Sequence, residues 1–173
     1  DGSIGAHIMA AMDGTGDFEG TSDTVRYQGI AKLTVNMGMV GYTIHELNAA
    51  IAKAEAGNWG TDDAQHAWDE GWAFFHGPEA NYGCSPAKVM EKRAADFGTA
   101  DADGNAATFI ATRNAMNDGL TALQNEDMQG VTAARDEVLK NLVIVYSQAV
   151  LKYTSKMDSN DTAEKYQAEG YAF

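Results

Sequence analysis

Apolar residues recur at helical spacing from about Thr24 to Ala56, at Val25, Ile30, Leu33, Met37, Val40, Ile44, Leu47 and Ile51. Gly38 and Gly41 interrupt this run, at about 1 kcal/mol each relative to Ala, and predict a kink or a close helix contact. Gly57-Asn58-Trp59-Gly60 then turns the chain into a helix over 62–77, with Thr61 or Asp62 as N-cap and Gly77-Pro78 as the stop. Ser85 as N-cap and Pro86 at the first helical position predict another helix, running to about Phe97. Further helices are expected from about Ala106 to Gln124, from Asp127 to Met157 (with Gly130 dividing its start) and after Asp161. Residues 1–23 are Gly-rich and acidic and read as irregular, with Ile4, His7, Ile8 and Met9 pinned on the core and His7 packed or exposed rather than a ligand. No segment alternates as a strand does. The fold expected is an all-α helical bundle forming a single domain over residues 1–173.

The 62–77 helix has two faces. At 100° per residue Trp68, Trp72 and Phe75 share one side and read as core, while His66, Asp69, Glu70 and Ala73 lie opposite. The chain's last segment repeats part of this helix. Glu169-Gly170-Tyr171-Ala172-Phe173 matches Glu70-Gly71-Trp72-Ala73-Phe74 at an offset of 99 residues, as Asp161 matches Asp62. The repeat suggests two pseudo-symmetric halves, with Glu70 and Glu169 facing each other and Gly71 and Gly170 allowing close helix approach.

Charge narrows the partners. Twenty-five Asp and Glu against twelve Lys and Arg leave a net charge of −13, which disfavours nucleic acid and anionic membrane surfaces and favours cations. No apolar run is long enough to span a membrane, so no membrane insertion is expected, and no signal peptide is recognised. The one Cys, Cys84, cannot form an internal disulfide; this fits a reducing compartment or a partner cysteine beyond Phe173 in a chain that breaks off within a helix. Asn160-Asp161-Thr162 is a glycosylation sequon that matters only in a secreted protein.

Hard metal ligands are dense in one place only. His66 with Asp69 or Glu70 is a metal-competent pair at helical spacing. Tyr42 and His45, at i and i+3 on the preceding helix, are placed to meet it as an antiparallel neighbour. With Glu169 from the second copy, the candidate metal ligands are Glu70, Glu169, Asp69, His66, His45 and Tyr42. Carboxylate, imidazole and phenolate without thiolate suit Fe(III), Fe(II), Mn or Zn. Gly98 to Asn105 has the flavour of a calcium loop but fails the template: Gly104 is one place early and Thr112 stands where the bidentate Glu belongs. It reads as a solvated turn. The motifs of zinc proteases, phosphate loops, Ser hydrolases and dithiol redox proteins are missing.

Ala67-Trp68-Asp69-Glu70-Gly71-Trp72-Ala73-Phe74-Phe75-His76-Gly77, Lys92-Arg93-Ala94-Ala95-Asp96-Phe97-Gly98-Thr99 and the closing Ala168-Glu169-Gly170-Tyr171-Ala172-Phe173 resemble the algal iron-assimilating proteins. These are periplasmic proteins induced by iron deficiency or high CO2, related to the iron-starvation-induced phytotransferrins. Members are often longer and richer in Cys than this chain. The resemblance implies a secreted, periplasmic or cell-surface protein that captures Fe(III) for uptake, with carbonate as a synergistic anion. It carries over Glu70, Glu169 and Asp69, whereas His45, His66 and Tyr42 come from helix geometry alone.

The sequence therefore favours iron binding without turnover, with a cell-surface receptor or a homo-oligomer as the expected protein partner. A metal-dependent hydrase or hydrolase, using His45, His66 and an acid around another divalent metal, is the enzymatic alternative. A structural helical module of the cell surface is the third.

Overall fold

The computed structural model describes residues 2–78, 85–158 and 163–173; the expectations for Cys84 and for the sequon fall outside them. Among the described residues the chain is all-α, as its periodicity predicts. Its helices are α1 (Gly2–Asp13), α2 (Asp23–Val35), α3 (Gly41–Glu55), α4 (Ala64–His76), α5 (Pro86–Phe97), α6 (Ala107–Gln124), α7 (Met128–Met157) and α8 (Ala163–Tyr171). A short 3-10 turn (Gly16–Phe18) follows α1, and a π-helical turn (Asn36–Val40) joins α2 to α3 at the glycines that break the long apolar run.

Several boundaries follow directly from local chemistry. Ser85 accepts a hydrogen bond from the Lys88 amide, Pro86 opens α5, and Gly98 closes it in the left-handed conformation at φ 64°. Asp101 accepts the amides of Asp103 and Asn105 and so closes the 98–105 turn on itself.

Other expectations need correction. Residues 2–13 are helical rather than irregular: Ile4, Ile8 and Ala10 pack against the cluster of Ala11, Phe18, Val25, Leu33, Ala168 and Ala172, and this burial outweighs the glycine penalty. Arg26 on α2 donates to the last carbonyls of that helix, those of Ala11 and Met12, where a cation also complements the helix dipole. The N-cap of α4 is Asp63, without a side-chain cap; the Gln65 side chain instead reaches back, its Nε2 donating to the Trp59 carbonyl at 2.8 Å. Gly130 does not divide α7, because its amide is satisfied by Asp127 Oδ1 at 3.1 Å.

The chain forms two compact units. Unit 1 comprises Asp1–Gly38 with Tyr146–Phe173, and unit 2 is the continuous stretch Met39–Val145. In unit 1, α2 packs against α1 and α8. Asn36 donates to the Ala172 carbonyl at 2.7 Å in the interior, and the Phe173 ring lies over Tyr153 at 5.5 Å. In unit 2, α3 and α4 form a hairpin, and α4 also packs on α5 and α6. A Cβ on Gly71 would come within 3.0 Å of Leu47 Cδ2, so this glycine sets the closeness of the α3–α4 approach. Trp68, Phe75, Leu47, Met90 and Leu123 are fully buried, so Trp68 and Phe75 turn inward as expected, whereas Trp72 on the same face is only half-buried.

Candidate metal site

The structure places the candidate ligands on three helices. His66, Asp69 and Glu70 stand on the solvent face of α4. His66 Nε2 lies 3.6 Å from Glu70 Oε1, an i,i+4 pair whose side chains are 60% and 47% exposed. A metal could bridge such a pair, but its openness to water makes the direct attraction weak.

On α3, Tyr42 meets His45 edge-on at 5.9 Å and Phe74 of α4 at 5.1 Å. His45 Nε2 faces its neighbour Glu46 at 3.9 Å. Helical spacing therefore yields two local groups, His66–Glu70 and Tyr42–His45. Among the described residues no three His, Cys, Asp or Glu side chains converge as a metal ion would require.

Glu169 belongs to unit 1 and Glu70 to unit 2. Glu169 is only 7% exposed, whereas Glu70 is open to solvent. The two copies of the motif thus share sequence but differ in environment. The aromatic residue after the repeated glycine differs too. Trp72 stacks on His76 at 4.8 Å, and Tyr171 meets His7 edge-on at 5.6 Å.

That second contact gathers a group which sequence spacing does not flag. The Tyr171 hydroxyl donates to Asp17 Oδ2 at 3.2 Å and lies 3.2 Å from each ring nitrogen of His7. Partial burial, with the hydrogen bond and charge of Asp17, holds the Tyr171 phenol above its ordinary pKa.

The sequence matches the low iron-inducible periplasmic protein family over residues 2–173. The chain belongs to that family. The resemblance read from three short segments thus extends along essentially the whole chain. As a low iron-inducible periplasmic protein it is secreted or periplasmic and has an iron-related role. Among its described residues no helix is long and apolar enough to cross a membrane. No curated protein and no solved structure gave a match.

Proposed function

We propose that this protein captures Fe(III) outside the cytoplasm for iron assimilation, binding it through carboxylate and imidazole ligands without catalytic turnover. The observation that carries this reading is membership, over residues 2–173, of a family named for its induction by low iron. A chain of net charge −13 attracts hydrated cations. The exposed His66–Glu70 pair offers imidazole and carboxylate where an incoming ion can reach them. Such ligands bind only when deprotonated, so acidification releases the metal. Carbonate would serve as an additional oxygen donor.

The test is equilibrium dialysis against Fe(III) held as its nitrilotriacetate complex, with iron measured by elemental analysis. Near-stoichiometric iron on the wild type supports capture. A wild type that retains no iron above background overturns the reading.

A further inference from the structure

We propose that His7, Asp17 and Tyr171 form a three-donor site for a hard trivalent cation, holding Fe(III) through imidazole, carboxylate and phenolate. The assignment rests on the reading that the protein captures Fe(III), and it names where.

The geometry is specific. Tyr171 Oη, His7 Nδ1 and Asp17 Oδ2 form a triangle with sides of 3.2, 3.2 and 3.7 Å. A point equidistant from these corners lies about 2.0 Å from each, which is the length of a metal bond to nitrogen or oxygen, ~2.0–2.2 Å. The hydroxyl lies 3.2 Å from both ring nitrogens and so sits over the imidazole face. His7 must turn its ring to aim a nitrogen lone pair at the ion, while Asp17 and Tyr171 already face each other. The donors come from α1, the 3-10 turn and α8, so the packing of unit 1 holds them together rather than the spacing of any one helix. By contrast, the His66–Glu70 pair supplies two donors from a single helix.

The surroundings suit the same ion. Asp17 and Tyr171 line a cavity of about 430 Å³ whose wall also carries Thr21, Glu164 and Gln167. The Asp17–Tyr171 edge of the triangle therefore borders room for water or a small oxygen ligand to complete the coordination shell, and Glu164 adds a carboxylate to the same cavity. The His7 and Asp17 side chains are 39% and 65% exposed, so an ion reaches them from solvent. On binding, the phenol proton of Tyr171 passes to solvent, the oxygen–metal bond forms and no electron is transferred. Trp72, which takes the place of Tyr171 in the first motif copy, has no oxygen to offer, so the site belongs to unit 1 alone.

Phenolate coordination gives a signature that carboxylate and imidazole do not: a visible phenolate-to-iron charge-transfer absorption. The experiment titrates wild type, Tyr171→Phe, Asp17→Asn, Tyr42→Phe and the His66→Ala/Glu70→Gln variant with Fe(III)-nitrilotriacetate. Bound iron, the visible spectrum and far-ultraviolet circular dichroism are read on each. The expected result is a visible band in wild type, Tyr42→Phe and the α4 variant, abolished in Tyr171→Phe while its helical signal is unchanged. Asp17→Asn should weaken binding at least about tenfold, since even outer-shell changes cost 10- to 100-fold in metal affinity. A band or bound iron unchanged in Tyr171→Phe overturns the assignment while leaving Fe(III) capture in place, as does a band lost only in Tyr42→Phe. A wild type that binds no iron overturns both.

Discussion

The indole ring of Trp68 fills the space that a side chain at Gly119 would occupy. A Cβ built on Gly119 would lie 2.0 Å from Trp68 Cζ2, and the same indole donates to the Met116 carbonyl at 2.9 Å one turn earlier on α6. Trp68 is 1% exposed, so the ring has nowhere to retreat. One glycine on α6 thereby fixes how closely the central helix can seat.

Gly119→Ala should destabilise the protein by about 1–3 kcal/mol through overpacking, although the same change in an open helix would gain about 1 kcal/mol of propensity. The clash dominates because the opposing atoms belong to a rigid buried ring. Gly71→Ala meets Leu47 Cδ2 at 3.0 Å and Cγ at 3.2 Å, a milder approach to a side chain with more freedom than an indole, and should cost less. Urea denaturation of both variants checks the order, and adding Trp68→Phe to Gly119→Ala should recover part of the loss. A neutral Gly119→Ala would contradict the spacing.

Asn36 ties the two segments of unit 1 together. Its amide donates to the Ala172 carbonyl at 2.7 Å, and Tyr146 donates to its side-chain oxygen at 3.4 Å. Asn36→Ala leaves a buried carbonyl unpaired and should cost about 1–3 kcal/mol. Amide hydrogen exchange should show the loss in residues 163–173 while α4 keeps its protection. Uniform protection across both would argue against this anchor.

Acid should loosen the 98–105 turn. The backbone and side chain of Asn105, with further amides in the turn, hold the Asp101 carboxyl below its ordinary value of 3.8. A depressed carboxyl lends stability above its unfolded value and loses it as the pH falls through the folded one. Glu137 behaves alike, held down first by Lys140 and then by Asn141. The midpoint of thermal unfolding should therefore fall less steeply on acidification in Asp101→Asn than in wild type. Identical slopes below about pH 4 would show that the turn contributes nothing.

Alkali acts through Tyr146. Burial raises its phenol well above the ordinary value of 10.0, so it stays protonated in the folded chain after the unfolded chain has lost its proton. The associated stability is complete below pH 10.0 and declines as the pH rises above it. Tyr146→Phe should flatten the alkaline limb of stability against pH, measured by denaturant midpoints. An unchanged limb would indicate that the phenol reaches water.

Local chemistry was readable from the residues, and long-range meetings were not. Ser85, Pro86 and Gly98 mark the ends of α5 because capping needs only neighbouring backbone. The i,i+4 spacing of His66 and Glu70 yields an actual pair for the same reason. The first helix escaped because Gly2 and Gly5 argue against it locally, while Ile4 and Ile8 are held by partners such as Leu33, Ala168 and Ala172. His7 meets Tyr171 across 164 positions and Asp17 meets it across 154, and no periodicity reports such a pairing. Trp68 and Gly119 belong to the same class: the glycine is visible in the sequence, but the ring it accommodates is not.

Unit 2 runs without interruption from Met39 to Val145, whereas unit 1 is assembled from the two flanks of that stretch. On the ribosome, therefore, unit 2 has all of its residues before unit 1 is complete, and α1 and α2 must wait for α8 to emerge. The trio of His7, Asp17 and Tyr171 comes together only after all of unit 2 has been synthesised. It unites residues that the whole of unit 2 separates in synthesis, so its assembly waits on the return of the chain to unit 1 rather than on either flank alone.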